Sequence, residues 1–118
     1  IVSTTLRKFK SSGSNFNDLI VVIGPCIGKD NYEVRNDFLD KFIKQERSNK
    51  KFFKTKRNKI YFSLADYIKE QLLKFGVKNI EIIKKDTYLL SNNFFSARRS
   101  IKNKLNDYGR NIYVIMIK

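Results

Sequence analysis

The sequence predicts an α+β fold, a layered sandwich of mixed β-sheets flanked by helices. Three observations carry that prediction. Leu19-Ile20-Val21-Val22-Ile23 is a run of β-favouring residues that stops at Gly24-Pro25, as a buried strand does where proline withdraws its ladder donor. Leu64 to Phe75 repeats apolar residues at helical spacing between two short strand-like stretches. Asn111 to Ile117 sets Ile112, Val114 and Met116 against Tyr113, Ile115 and Ile117, so both faces are apolar and a central, doubly covered strand is expected. Strands and helices alternating in this way build a mixed sheet layered with helices.

Each element follows from local chemistry. Ile1 to Lys10 has helical spacing through Val2, Thr5, Leu6 and Phe9, and Ser11-Ser12-Gly13-Ser14-Asn15 stops it. No capping residue precedes this helix, as expected of one cut from a longer chain. Asp18 to Ile23 is the first strand. Gly24 and Gly28 then let the backbone turn tightly and approach a neighbour closely. A strand that ends in such a loop ahead of a helix is a favoured ligand position in α/β architectures, although a plain connection reads the same way locally. Arg35 to Arg47 gathers Phe38, Leu39, Phe42 and Ile43 on one helical face. Lys50 to Lys59 is basic, with a short strand expected at Phe52-Phe53 and a turn at Arg57-Asn58. Ile60-Tyr61-Phe62 is the next strand, delivering Ser63 as an N-cap with Asp66 in an acidic first turn. That helix stops at Gly76, and Asn79 to Ile83 forms another strand.

Composition bounds the function. With 118 residues the chain is one domain at most. No secretory pattern is present, and the longest apolar run is far short of the roughly 20 residues that span a bilayer, so no membrane partner is expected. The single cysteine, Cys26, cannot form an internal disulfide, and a reducing cytoplasmic setting is expected. A lone thiol reads first as a small buried hydrophobe. The absence of histidine removes Cys-His and Ser-His catalysis and leaves no basis for an in-chain zinc site. The net charge of +14 raises a second reading, a small basic nucleic-acid-binding module. Lys50-Lys51, Lys54, Lys56-Arg57 and Lys59 interleave with Phe52 and Phe53, a pattern that tracks phosphates and stacks on bases. Lysine far outnumbers arginine, however, and asparagine and isoleucine are abundant, as an AT-rich coding bias produces. Nucleic-acid binding is therefore the runner-up reading, and nucleic acid is not the expected partner.

Three blocks together resemble one family. The first runs from Ile23-Gly24-Pro25-Cys26-Ile27-Gly28 to Tyr32-Glu33-Val34, and the second from Phe62-Ser63-Leu64-Ala65-Asp66-Tyr67 through Leu73 and Gly76-Val77 to Asn79-Ile80-Glu81. The third comprises Asp86-Thr87-Tyr88, Phe94-Phe95-Ser96-Ala97-Arg98-Arg99 and Asp107-Tyr108-Gly109-Arg110-Asn111-Ile112. Their order and spacing resemble the C-terminal half of the YfiH-like proteins, long labelled polyphenol oxidases or laccase-domain proteins and now described as purine nucleoside phosphorylases with adenosine deaminase activity. The chain departs from the family pattern at Lys29-Asp30-Asn31, where many members carry further cysteines, and at Ala97, where tyrosine is frequent.

The resemblance implies a four-layer α/β/β/α arrangement in the intact protein, of which residues 1–118 form the C-terminal part of a single domain. It implies phosphorolysis of adenosine, inosine, guanosine or methylthioadenosine. It also implies a zinc ion whose ligands lie in the N-terminal half, so this segment alone is expected to be inactive, either completed by a missing half or partner chain or surviving as a non-catalytic remnant. The oxidase label fits poorly, since copper oxidation demands several histidine and cysteine ligands that this chain does not have. Within the chain the expected substrate-binding residues are Gly24, Pro25, Thr87, Phe95, Ser96, Arg98 and Arg99. Phe95 would stack on a purine, Ser96 would donate a hydrogen bond, and Arg98 would grip phosphate with a planar fork that lysine lacks. The competing expectation is that Arg98 and Arg99 form structural salt bridges with Glu33 or Asp86.

Overall fold

A computed structural model describes residues 1–116 and shows an α+β chain with two small sheets. Helix α1 (Val2–Ser11) leads to strand β1 (Ile20–Ile23). Strand β2 (Glu33–Val34), helix α2 (Asn36–Gln45) and a 3-10 segment (Arg47–Phe52) follow. Strands β3 (Phe53–Lys56) and β4 (Lys59–Phe62) form a hairpin that feeds helix α3 (Leu64–Lys74). Strand β5 (Asn79–Ile82), a short 3-10 turn at Leu90–Asn92 and helix α4 (Ala97–Lys102) complete the elements. β1 pairs in parallel with β5, Ile20 opposite Asn79 and Ile23 opposite Ile82. β2, β4 and β3 form an antiparallel sheet in that order. No described helix is long and apolar enough to cross a membrane.

Two apolar cores meet on α3. On one side Leu6, Ile23, Leu72 and Val77 are buried together, with Ala65, Ile68 and Phe75 of α3 and its C-terminal turn packed against them. On the other side lies an aromatic cluster around Phe62, which is 1% exposed. The rings of Tyr32, Phe38, Phe42, Phe53 and Tyr67 all lie within 6 Å of its centroid, the nearest being Phe53 at 4.8 Å. Offset and edge-on aromatic pairs of this kind each add about 1 kcal/mol beyond their burial. The chain enters α3 directly from Phe62, so one covalent step joins the hub of the second core to the wall of the first.

Sequence and structure differ at several points. Ser63 holds the N-cap position of α3, but its hydroxyl donates to Asp66 Oδ2 at 2.5 Å and caps no backbone amide. Gly76, at φ +92°, is the residue that lets the helix end in the left-handed region. The expected central strand at Asn111–Ile117 is not a strand over residues 111–116, and Ile117 lies outside the described residues. This segment finds no ladder partner among the described residues; Asn111 is drawn to Phe95 and Tyr113 to the loop after β1. Ile112 is 87% exposed and Val114 78%, so the doubly apolar pattern stands in solvent here. The basic strand begins at Phe53, one residue late, because the 3-10 segment absorbs Phe52.

Phe62→Ala removes the ring on which five others converge. It is expected to lower unfolding stability by about 3–5 kcal/mol in a urea melt, and Phe62→Leu by less than half of that.

Candidate functional site

The loop after β1 and the chain from Asp86 to Tyr113 close into one network. Thr87 donates its backbone N–H to the Cys26 carbonyl at 3.0 Å, continuing the parallel pairing of β1 and β5 by one isolated bridge between Cys26 and Asp86. Asp86 is held from two sides: Asn31 Nδ2 donates to its Oδ2 at 2.7 Å, and the Tyr88 N–H donates to its Oδ1 at 2.8 Å. Neither Gly24 nor Gly28 has a positive φ. A tight turn does start at Gly28, whose carbonyl accepts from the Asn31 and Tyr32 N–H groups at 2.9 and 3.0 Å, but what demands glycine at both positions is close approach. A Cβ on Gly28 would lie 2.3 Å from Asp86 Oδ2, and one on Gly24 would lie 3.3 Å from the Tyr113 ring.

Arg99 is the staple of the network. Its Nη1 donates to the carbonyls of Thr87 (3.0 Å) and Tyr88 (2.7 Å), and its Nη2 to the carbonyl of Phe94 (2.6 Å). These loop carbonyls have no ladder to join, and a charged donor satisfies them at a net gain of about 2 kcal/mol each. The expected salt bridges of the arginine pair are not formed. Arg98 donates instead to the backbone carbonyl of Glu33 at 2.7 Å and lies over the Tyr32 ring at 5.4 Å. The Glu33 carboxylate takes Lys59, whose hydrogen bond holds its pKa below the usual carboxylate value.

Ser96 caps α4, accepting from the Arg99 N–H at 3.3 Å, and is buried, as is Thr87. Phe95 is presented outward at 58% exposure, yet its backbone is clamped at both groups by Asn111, the N–H donating to Oδ1 at 2.9 Å and the carbonyl accepting from Nδ2 at 2.8 Å. A Cβ on Gly109 would lie 2.3 Å from the Phe95 ring, so this glycine lets the ring sit directly on the chain. Tyr113 closes the circuit by donating its hydroxyl to the Pro25 carbonyl at 2.9 Å.

The structure therefore brings all seven expected residues into one connected region but separates them by what they offer. Phe95 and Arg98 are exposed; Gly24 and Pro25 are half-buried beside Tyr113; Thr87, Ser96 and Arg99 sit within the fold. The scaffold roles of Asn31, Asp86, Asn111 and Tyr113 were not legible from the sequence. Only the Asn111 signal, a polar residue at the entry to an apolar run, was available to find one of them. An apolar hollow of about 790 Å³ opens beside Gly24, Pro25 and Cys26, walled by α1, β1 and Ile112–Ile115. Burial raises the Cys26 thiol pKa above its usual value, with the nearby carboxylates of Asp86 and Asp66 adding to the shift. The chain has no histidine, and among the described residues no three potential ligands lie close enough to hold a metal, so the residues present do not fit a zinc centre.

Comparison with known proteins places this geometry in context. The family described as multi-copper polyphenol oxidoreductase laccase matches residues 1–118. A purine nucleoside phosphorylase of Rickettsia conorii is 35% identical over 102 residues, which cover 85% of this chain and 42% of that protein. A purine nucleoside phosphorylase of Bacteroides thetaiotaomicron is 31% identical over 100 residues, covering 81% of this chain and 37% of that protein. The crystal structure of the Bacillus licheniformis hypothetical protein YfiH superposes with a TM-score of 0.74 at 30% identity, covering 85% of this chain and 39% of that one. The chain thus spans about two fifths of the length of the relatives it matches.

Arg99→Lys keeps the charge but reaches at most part of the three-carbonyl set. A loss of about 2–4 kcal/mol is expected in thermal unfolding, against less than about 1 kcal/mol for Arg98→Lys. The raised Cys26 pKa implies little thiolate at neutral pH. Alkylation by iodoacetamide is expected to stay slow until the pH passes the ordinary thiol range, and Asp86→Asn is expected to shift the rate profile toward lower pH.

Proposed function

Because this chain belongs to the multi-copper polyphenol oxidoreductase laccase family, in its YfiH-like branch, we propose that it is the C-terminal segment of a purine nucleoside phosphorylase. The observation that carries the reading is the clamped, outward-facing Phe95 on a network stapled by Arg99, beside the exposed guanidinium of Arg98. Phosphorolysis needs a face for the base, a cation for phosphate and a rigid frame between them. Phe95 offers the face, held by Asn111 and Gly109 so that little order is lost when a purine stacks. Arg98 offers unused guanidinium donors for an oxyanion, while its bond to the Glu33 carbonyl fixes its direction. Ser96 and Thr87 act from within, Ser96 by seating α4 and Thr87 by tying this region to the β1 loop. Arg99 is a positioning residue, spent on the backbone it orders.

The substrates proposed are purine nucleosides such as adenosine, inosine, guanosine or methylthioadenosine, together with inorganic phosphate. Adenosine deamination and the zinc that the family resemblance implies are assigned to no residue of this chain, whose side chains do not fit that metal. Phosphorolysis is therefore proposed to require further polypeptide, in the same chain or supplied by a partner. A reducing, cytoplasmic setting accords with the single free thiol.

The test is an assay of free purine release from inosine or adenosine with and without phosphate. The 118-residue chain alone is expected to release none. A full-length relative whose Phe95 and Arg98 equivalents are replaced by alanine is expected to lose at least about tenfold in kcat/KM, with phosphate KM rising for the arginine change. Phosphate-dependent release by the chain alone, or unaltered kinetics in both variants, overturns the reading.

A further inference from the structure

The β3–β4 hairpin carries a second, independent feature. Register places Lys56 directly opposite Lys59 and Lys54 opposite Tyr61. These four residues share one face, since side chains alternate along a strand. The opposite face holds Phe53 and Phe62, committed to the aromatic core. Two lysines directly across a ladder repel one another, an arrangement that costs stability with no packing in return. The turn adds a fourth cation in an unfavourable setting: Arg57 has φ 49° and Asn58 φ 59°. A turn with both central residues in the left-handed region prefers Asn or Gly first, and arginine there is strained. Lys59 is paired with Glu33, whereas no ion pair within 4.0 Å reaches Lys54, Lys56 or Arg57 among the described residues. These groups, with Asp30 at the rim, line a hollow of about 290 Å³.

We propose that this hollow binds a compact polyphosphate of the nucleoside triphosphate type, with the phosphate chain on Lys54, Lys56 and Arg57 and the nucleoside against Tyr61. Like charges held together at a cost repel one another less when an anion enters. The cations that line the hollow all come from the β3–β4 hairpin, and Tyr61 is the one aromatic ring among its lining residues. That footprint suits a single nucleotide, because a nucleic-acid strand is tracked by a longer stripe of cations with several stacking platforms. The hollow is lined by neither Phe95 nor Arg98, Glu33 being the residue that touches both sites through Lys59 and Arg98, and the proposal does not depend on the phosphorylase reading.

Isothermal titration of the purified chain with ATP, inorganic tripolyphosphate and a single-stranded oligonucleotide tests the proposal. ATP is expected to bind with one-to-one stoichiometry and to weaken steeply between about 50 mM and 200 mM salt. Arg57→Asn is expected to weaken ATP by about tenfold while raising the melting temperature, because asparagine accepts the left-handed turn that strains arginine. Lys56→Gln is expected to weaken ATP similarly, whereas Lys8→Gln on α1 leaves it unchanged. Tripolyphosphate bound as tightly as ATP overturns the part assigned to Tyr61. Absence of ATP binding, an equal loss in Lys8→Gln, or an oligonucleotide that outcompetes ATP at equal phosphate concentration overturns the site as a whole.

Discussion

The structure depends on helix α3 being apolar in two directions. Ala65, Ile68 and Leu72 turn toward the parallel pair β1–β5, and Tyr67 turns toward Phe62 and the antiparallel sheet. Neither sheet has enough strands to be stable by itself: two parallel strands, or three short antiparallel ones, bury too little without a helix across them. A shared wall lets both cores close in a small chain. It also fixes the distance between the two halves, since β4 runs into α3 through the single residue Ser63. The loop after β1 and the β2–β4 face are thereby held together, and the Arg98 bond to the Glu33 carbonyl spans the two sheets' territories.

On that frame the candidate site is built almost wholly from backbone satisfaction. The segment from Asp86 to Arg99 has little regular structure, so its polar groups must find partners elsewhere. Arg99, Asn92 and Asn111 supply them, Asn92 donating to the Asp86 carbonyl at 2.9 Å. A loop fixed in this way holds the exposed Phe95 ring by its own backbone bonds, and it leads directly into α4, which carries the exposed Arg98 guanidinium. Pre-organisation of that kind is what a site needs if binding is not to be spent on ordering the protein.

Much of this was legible in the sequence, and the limits have physical reasons. The α+β class, the strand into Gly24-Pro25, the two amphipathic helices and the Arg57-Asn58 turn follow from periodicity and turn chemistry, which are local. The blocks that carry the family resemblance are also the blocks that touch one another in the folded chain. What was not legible is non-local. Whether an arginine meets a carboxylate or three carbonyls depends on where the chain leaves unpaired groups, and nothing adjacent to Arg99 announces that. Glycine is ambiguous for the same reason: Gly28 is needed because Asp86 arrives beside it from far along the chain, not because of its own torsion. The segment after Asn111 reads as a central strand because both its faces are apolar, yet over the described residues it enters no ladder, although β1 and β5 each keep one unpaired edge; apolar pattern alone does not bring a segment to an edge in register.

The parallel pairing of β1 with β5 has a consequence in time. During synthesis Ile20–Ile23 emerges long before Asn79–Ile82, and every intervening element must be made before the two can meet. The hairpin β3–β4 and its neighbour α2 involve contacts close in sequence and are expected to form first; the parallel pair, with its large loop-closure cost, docks last. Until then β1 is an unpaired apolar strand on a nascent chain. In that interval α1 gives β1 a local partner, since its Leu6 shares the core with Ile23. Slow docking of β1 is the kinetic counterpart of a topology in which a strand takes its partner from the far side of a hairpin and two helices.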